Sequence, residues 1–226
     1  MKVVCIGDAF ITPEMMEDGV RPYLGENDTL KVFFFGNPDK SMMRDIIKGI
    51  EARNFNGIEM PEGLYEEVVD ADLIVVHLCP IKRDLFEIAK NLKAVMTCRG
   101  GLENIEVDAA TEHKVIVSNN PAHNANAVAE FTVAMILSET RNVARSHMAL
   151  KNGEWRLEYP NTHTTVKEMH DLVVGLVGFG SIGRLVAYKL STFGCKILVA
   201  DPFLKECNVD YVTLVSFDEL LQQSDI

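Results

Sequence analysis

The stretch 172–201 constrains this chain more than any other. Leu172 to Val177 is a short apolar run rich in valine, the composition of a buried parallel strand. Gly178, Gly180 and Gly183 follow at G-x-G-x-x-G spacing. From Ser181 the apolar residues Ile182, Leu185, Val186 and Leu190 recur with a helical period, and Gly194 ends the pattern. Lys196 to Ala200 reads as a second apolar strand, closed by Asp201. Strand, glycine turn, helix, strand and terminal acid, in that order, predict a βαβ unit that binds a dinucleotide. Gly178 permits the tight turn, Gly180 leaves room for a pyrophosphate against the backbone, and Gly183 lets the helix pack closely on the strand. The N–H groups of Ser181 and Ile182 open the helix and can donate to phosphate oxygens. Asp201 stands where a carboxylate accepts hydrogen bonds from the adenosine ribose. An acid there favours NAD, because a 2′-phosphate would be repelled, although Arg184 and Lys205 are basic neighbours.

The residues before this motif form a second pattern. Apolar strands are expected at 3–6, 31–35, 73–78, 94–98 and 115–118, and helices lie between them. Thr12-Pro13 marks a helix start, with threonine as cap and proline in the first turn. Asn37-Pro38 is expected to start the helix that carries Met42, Met43, Ile46, Ile47 and Ile50. Alternation at this spacing implies a parallel sheet covered on both faces, hence one small α/β domain over residues 1–118. Asn119-Asn120-Pro121 breaks the pattern, and residues 119–226 form the second domain. There, one long helix is expected from Ala125 to Leu150. It is apolar enough to be buried in the core or against another subunit. Residues 154–169 are polar and read as a surface segment. A short strand near 212–214 and a helix at 217–223 follow Asp201, and Ser224-Asp225-Ile226 resembles the entry to a further strand.

Composition narrows the function class. The 226 residues carry a formal net charge of −11, which argues against a general nucleic-acid or anionic-membrane binder. Cys5, Cys79, Cys98, Cys195 and Cys207 show no C-x-x-C pairing, as expected of reduced thiols in a cytoplasmic protein. The first residues do not read as a signal peptide, and no apolar run approaches a membrane span. No pair of histidines has zinc-ligand spacing, so no metal is expected. There is also no nucleophile elbow for hydrolase chemistry.

Six segments carry a resemblance to a known family: 101–106 (Gly-Leu-Glu-Asn-Ile-Glu), Asn119-Asn120-Pro121, 127–130 (Ala-Val-Ala-Glu), 152–155 (Asn-Gly-Glu-Trp), 175–183 around the glycines, and Asp201-Pro202. In order and spacing the chain resembles the D-isomer-specific 2-hydroxyacid dehydrogenases, above all the branch with D-3-phosphoglycerate dehydrogenase. The match runs from about residue 70 onward, and earlier residues match only in pattern. The resemblance implies a flavodoxin-like substrate domain followed by a Rossmann NAD-binding domain, incomplete in this chain. It also implies hydride transfer between nicotinamide and a D-2-hydroxy or 2-keto acid, with a phosphorylated acid among the candidates. A homodimer through the 125–150 helix is implied as well. In the family a His–Glu pair moves the proton and an arginine holds the substrate carboxylate. By the resemblance these residues lie beyond Ile226, so no catalytic residue is expected within this chain.

The loop matching Cys98 to Gly101 meets substrate in the family, through its backbone. Family members usually have Gly-x-Gly where this chain has Arg99-Gly100-Gly101. A guanidinium there could hold a carboxylate or phosphate bidentately, or be a solvated arginine at a strand end. Lys82 and Arg83 add a hint of a doubly anionic substrate, with a solvated basic cluster as the favoured alternative. His77 ends a strand and is a candidate substrate contact, with a structural role as the alternative. His113, His123, His147, His163 and His170 carry no motif. Two other readings remain open: a catalytically inactive dinucleotide-binding or scaffold protein, and another NAD enzyme of this architecture, such as an S-adenosylhomocysteine hydrolase-like or formate dehydrogenase-like protein.

Overall fold

The computed structural model describes residues 1–159 and 168–226. The chain divides into two compact units, Met1–Pro121 and Ala122–Ile226.

The first unit is a five-stranded parallel sheet. Its strands are β1 (Lys2–Gly7), β2 (Thr29–Phe34), β3 (Leu73–Val76), β4 (Ala94–Thr97) and β5 (Ile116–Ser118). They lie in the order β2-β1-β3-β4-β5, the flavodoxin-like arrangement. Register is continuous across the centre: Val4 lies beside Lys31 and Ile74, and Ile74 beside Val95. One face buries Val4, Ile6, Ile74, Val76 and Val95 against four helices. These are α2 (Met43–Glu51), α3 (Leu64–Val68), α4 (Arg83–Ile88) and α5 (Val107–Glu112). Each fully buried Ile, Leu or Phe there contributes about 1.5–3 kcal/mol.

The other face differs from expectation. Only α1 (Pro13–Val20) packs on it, covering Val3 and Cys5 with Met16. Toward β4 the face opens into a cavity of about 510 Å³ lined by Val20, Tyr23, Leu73, Val75 and Met96. Among the described residues the sheet is therefore covered on one face and half covered on the other.

Two helix expectations need correction. The helix after β2 begins at Met43, not at Pro38, and Met42 is its cap. Asn37 accepts the N–H of Asp39, and Asp39 accepts that of Ser41. These successive side-chain turns compete with the helix and delay it. The single helix expected at 125–150 is two, α6 (Ala125–Thr140) and α7 (Val143–Lys151). Asn142 breaks it by adopting a left-handed backbone (φ 54°), a conformation asparagine tolerates. Its side chain accepts from Arg145, and its carbonyl takes the Ser146 N–H.

The second unit holds β6 (Val173–Val177), α8 (Ser181–Ser191), β7 (Lys196–Ala200), β8 (Thr213–Leu214) and α9 (Phe217–Gln223). Its parallel strands lie in the order β6-β7-β8. Ala129 and Val133 of α6 pack with Val186, Ala187 and Leu190 of α8 over Val174, Ile197 and Val199. Ser216 and Glu219 form a reciprocal capping box that starts α9. On the open edge of β6 the Asp225 N–H donates to Val173 O and the Gly175 N–H donates to Ile226 O, both at 2.8 Å. Residues 225 and 226 thus bond to the edge of β6 without forming a strand. The surface segment expected at 154–169 falls partly outside the described residues, and His163 lies there.

Candidate dinucleotide site and substrate loops

Each glycine of the 178–183 turn meets a different physical demand. Gly178 has φ +93°, which side-chain-bearing residues rarely adopt, and its N–H donates to Ala200 O at 2.8 Å. That bond ties the turn to the end of β7. A Cβ on Gly183 would overlap the carbonyl oxygen of Gly178, so the helix can approach the turn only without one. A Cβ on Gly180 would meet nothing within 4 Å. The open space over Gly180 is where a bound group can reach the backbone. Gly180 is also the cap residue of α8, and no side chain caps the helix. The N–H groups of Ser181 and Ile182 begin α8 there, at its positive end. This cradle fits a pyrophosphate.

Asp201 follows β7 directly. One carboxylate oxygen accepts the N–H of Phe179 at 2.7 Å, and the other accepts that of Phe203 at 2.9 Å. The Phe179 and Phe203 N–H groups hold this carboxyl below its ordinary range, with help from the Arg184 charge. Each oxygen keeps a lone pair for a ribose hydroxyl. The Arg184 guanidinium lies 4.5 Å above the Phe179 ring, whose side chain is buried. Sequence reading singled out Asp201 for the ribose and missed its bond to the glycine turn. The signal was present, since strand-end acid and turn meet whenever two parallel strands pair in register.

In the first unit the other candidates gather at the carboxyl ends of β1, β3 and β4. Arg99, Gly100 and Gly101 form the loop after β4. The Arg99 side chain is mostly buried, its guanidinium is 3.6 Å from Glu103, and its Nε is buried without a hydrogen-bond partner. Arg99 O accepts the Asn120 N–H, and Gly100 O accepts the Asn119 side-chain amide. Buried Asn104 donates to the carbonyls of His77 (3.1 Å) and Cys79 (3.2 Å), clasping the loop after β4 to the loop after β3. His77 is thus brought to the same edge as the Arg99–Gly101 loop. Its Nδ1 lies 2.8 Å from Oδ2 of Asp8, a residue sequence reading missed.

The basic residues nearby are engaged. Arg83 makes a two-point bond to Glu112, and Lys82 lies 3.6 Å from Asp84. His170 has carboxylate neighbours that its sequence context did not suggest, Glu168 at 3.5 Å and Asp171 at 3.3 Å, all on the surface. Among the described residues, no three His, Cys, Asp or Glu side chains could hold a metal ion. No helix there is long and apolar enough to cross a membrane.

Comparison with known proteins agrees with this geometry. Residues 133–226 match the family described as "D-isomer specific 2-hydroxyacid dehydrogenase, NAD binding domain". Hydroxypyruvate reductase of Thermotoga maritima is 34% identical over 163 residues, covering 72% of this chain and 52% of that protein. D-3-phosphoglycerate dehydrogenase of Bacillus subtilis is 35% identical over 156 residues, covering 68% of this chain and 29% of the relative. The chain thus spans about half the length of the first relative and under a third of the second. The NAD-dependent formate dehydrogenase of Staphylococcus aureus, solved with NAD, superposes over 100% of this chain and 62% of its own. Its TM-score is 0.65 and its identity 26%. By sequence, fold and the form of its glycine turn, residues 133–226 belong with the NAD-binding domain of the D-isomer-specific 2-hydroxyacid dehydrogenases.

Proposed function

We propose that this protein is an NAD-dependent oxidoreductase acting on a D-2-hydroxy acid and its 2-keto partner. The observation that carries the reading is the glycine turn. Gly183 admits no Cβ, Gly180 leaves its space open, and Asp201 is fastened to the same turn. Residues 119–226, which contain the second unit, form the cofactor domain. Gly178, Gly180, Ser181, Ile182 and Gly183 hold the pyrophosphate, and Asp201 holds the adenosine ribose. Bound NAD supplies the hydride acceptor or donor. Residues 1–118, within the first unit, form the substrate domain. Arg99, Gly100 and Gly101 meet the acid's carboxylate, with Arg99 Nε the buried donor still lacking an acceptor. His77 contacts the rest of the substrate. Because Lys82 and Arg83 are engaged by carboxylates, this reading favours a substrate with one anionic group over a phosphorylated one.

A homodimer built through α6 and α7 belongs to the same proposal. The exposed Phe131 and Met135 of α6 and Val143 and Met148 of α7 support it. Sedimentation equilibrium at micromolar concentration tests it, with a monomer as the refuting result.

The activity is tested by calorimetric titration with NAD and NADP, followed by an NADH-oxidation screen of 2-keto acids on the full natural chain. Saturable NAD binding and turnover of a 2-keto acid are expected. Binding without turnover of any keto acid would favour a catalytically inactive dinucleotide-binding protein. No NAD binding would overturn the reading.

A further inference from the structure

The carboxyl ends of β1 and β3 lie at the switch point of the β2-β1-β3-β4-β5 sheet, where the strand order reverses and open α/β sheets bind their ligands. Asp8 follows β1 and His77 follows β3. The Asp8 side chain is completely buried, and its carboxylate meets four nitrogen groups. Oδ1 accepts the N–H of Phe10 (2.8 Å) and of Ile11 (3.2 Å). Oδ2 accepts the N–H of Leu78 (3.2 Å) and lies 2.8 Å from Nδ1 of His77. Burial pushes this carboxyl up, but the His77 bond and the Phe10 and Ile11 N–H groups outweigh it and hold it below the ordinary range. An ionised carboxylate only accepts, so the proton between Asp8 and His77 sits on Nδ1.

The imidazole is also fixed through its own backbone. The His77 N–H donates to Ile6 O at 3.4 Å, and its carbonyl accepts from Asn104. The side chain keeps 18% of its surface exposed, whereas that of Asp8 keeps none. With a proton on Nδ1, the neutral form of the ring leaves Nε2 as an acceptor on its exposed side. Such an atom attracts a hydroxyl hydrogen and repels a carboxylate or phosphate oxygen. Of the cations that could reverse this preference, Lys82 and Arg83 face carboxylates of this chain, and Arg99 is assigned to the acid's own carboxylate.

We propose that Asp8 and His77 act as a substrate-reading pair, in which buried Asp8 fixes the His77 tautomer and His77 Nε2 accepts a hydroxyl of a hydroxylated 2-keto acid. Asp8 is then a positioning residue and His77 a specificity-determining one. The inference rests on the dehydrogenase reading above, but the tautomer can be tested without activity. In ¹⁵N-labelled protein, long-range ¹H–¹⁵N correlation at pH 7.5 should show His77 protonated on Nδ1 alone. In Asp8→Asn, the amide donates toward Nδ1 and the proton should move to Nε2. A doubly protonated ring or an Nε2–H tautomer in the native protein would overturn the proposal.

The second arm compares kcat/KM for hydroxypyruvate and for its phosphate ester. The native enzyme should prefer hydroxypyruvate by tenfold or more. Asp8→Asn and His77→Phe should each shrink that ratio at least fivefold, whereas a merely structural lesion would lower both substrates alike. An unchanged ratio, or a native preference for the phosphate ester, would overturn the inference and leave the dehydrogenase reading standing. Absence of turnover with every keto acid would instead refute the dehydrogenase reading.

Discussion

The corner between β1 and α1 and the corner between β6 and α8 are built alike and do opposite things. Both leave a parallel strand through a glycine and enter a helix within a few residues. A Cβ on Gly7 would lie 2.7 Å from Ile11 O and from Pro13 N, so that turn is as tight as the one at Gly183. In the first corner the chain fills its own donors. Asp8 accepts the Phe10 and Ile11 N–H groups, and the Thr12 hydroxyl accepts that of Met15. In the second corner Gly180 stands at the cap with no side chain to accept anything. The same architecture is self-satisfied in one unit and left open to a foreign anion in the other. An anion site of this kind is a helix start whose internal acceptor has been removed.

Making the second corner like the first should have the largest effect. Gly180→Asp puts a carboxylate where the pyrophosphate would lie, into space that accepts a Cβ. NAD affinity should fall about a hundredfold, or about 3 kcal/mol, while the melting temperature holds or rises because aspartate is a good cap. Titration calorimetry beside a thermal melt reads both; undiminished NAD binding would break the comparison. Asp201→Ala should cost about 1.5–3 kcal/mol of NAD affinity and narrow the preference over NADP. Competition titration of the two cofactors checks it. Gly183→Ala should destabilise the second unit by about 1–3 kcal/mol through overlap with the Gly178 carbonyl, as seen by denaturant unfolding.

The first corner should respond to acid instead. The Asp8 carboxyl is depressed in the folded protein. Its stabilising contribution is complete above the ordinary carboxylate range, about pH 4, and is lost as pH falls through the depressed value. Denaturant midpoints of the native protein should therefore drop below pH 4 more steeply than those of Asp8→Asn. Thr12→Ala should have the smallest effect, about 1 kcal/mol of stability with NAD affinity unchanged.

What could be read in the sequence follows from how locally each feature is encoded. The dinucleotide turn lies within thirty contiguous residues, and its strand, glycines, helix and acid are legible because neighbours in sequence are neighbours in space. The parallel sheet was legible from alternating apolar runs. The Asp8–His77 pair was not, since 69 positions separate the partners and only the adjacency of β1 and β3 unites them. The engagement of Arg83 by Glu112 is hidden in the same way, so the sequence shows the basic cluster without the carboxylate that neutralises it. Asn142 failed for another reason. Nothing in its neighbourhood forbids a helix, and its left-handed conformation is fixed by what Arg145 and Ser146 do afterwards.

The bond from Asp201 to the Phe179 N–H has a consequence for how cofactor preference can change over generations. The group proposed to read the ribose also fastens the glycine turn to the neighbouring strand. A lineage drifting toward NADP cannot simply discard the acid, because the loss would loosen the turn that every dinucleotide needs. The accessible route begins with a second support for the turn, for which the Arg184 side chain stacked on Phe179 is already in place. Only then is position 201 free to vary. Preference at this site is therefore historically sticky, and single substitutions drawn from NADP-using relatives should disappoint unless that support is strengthened first.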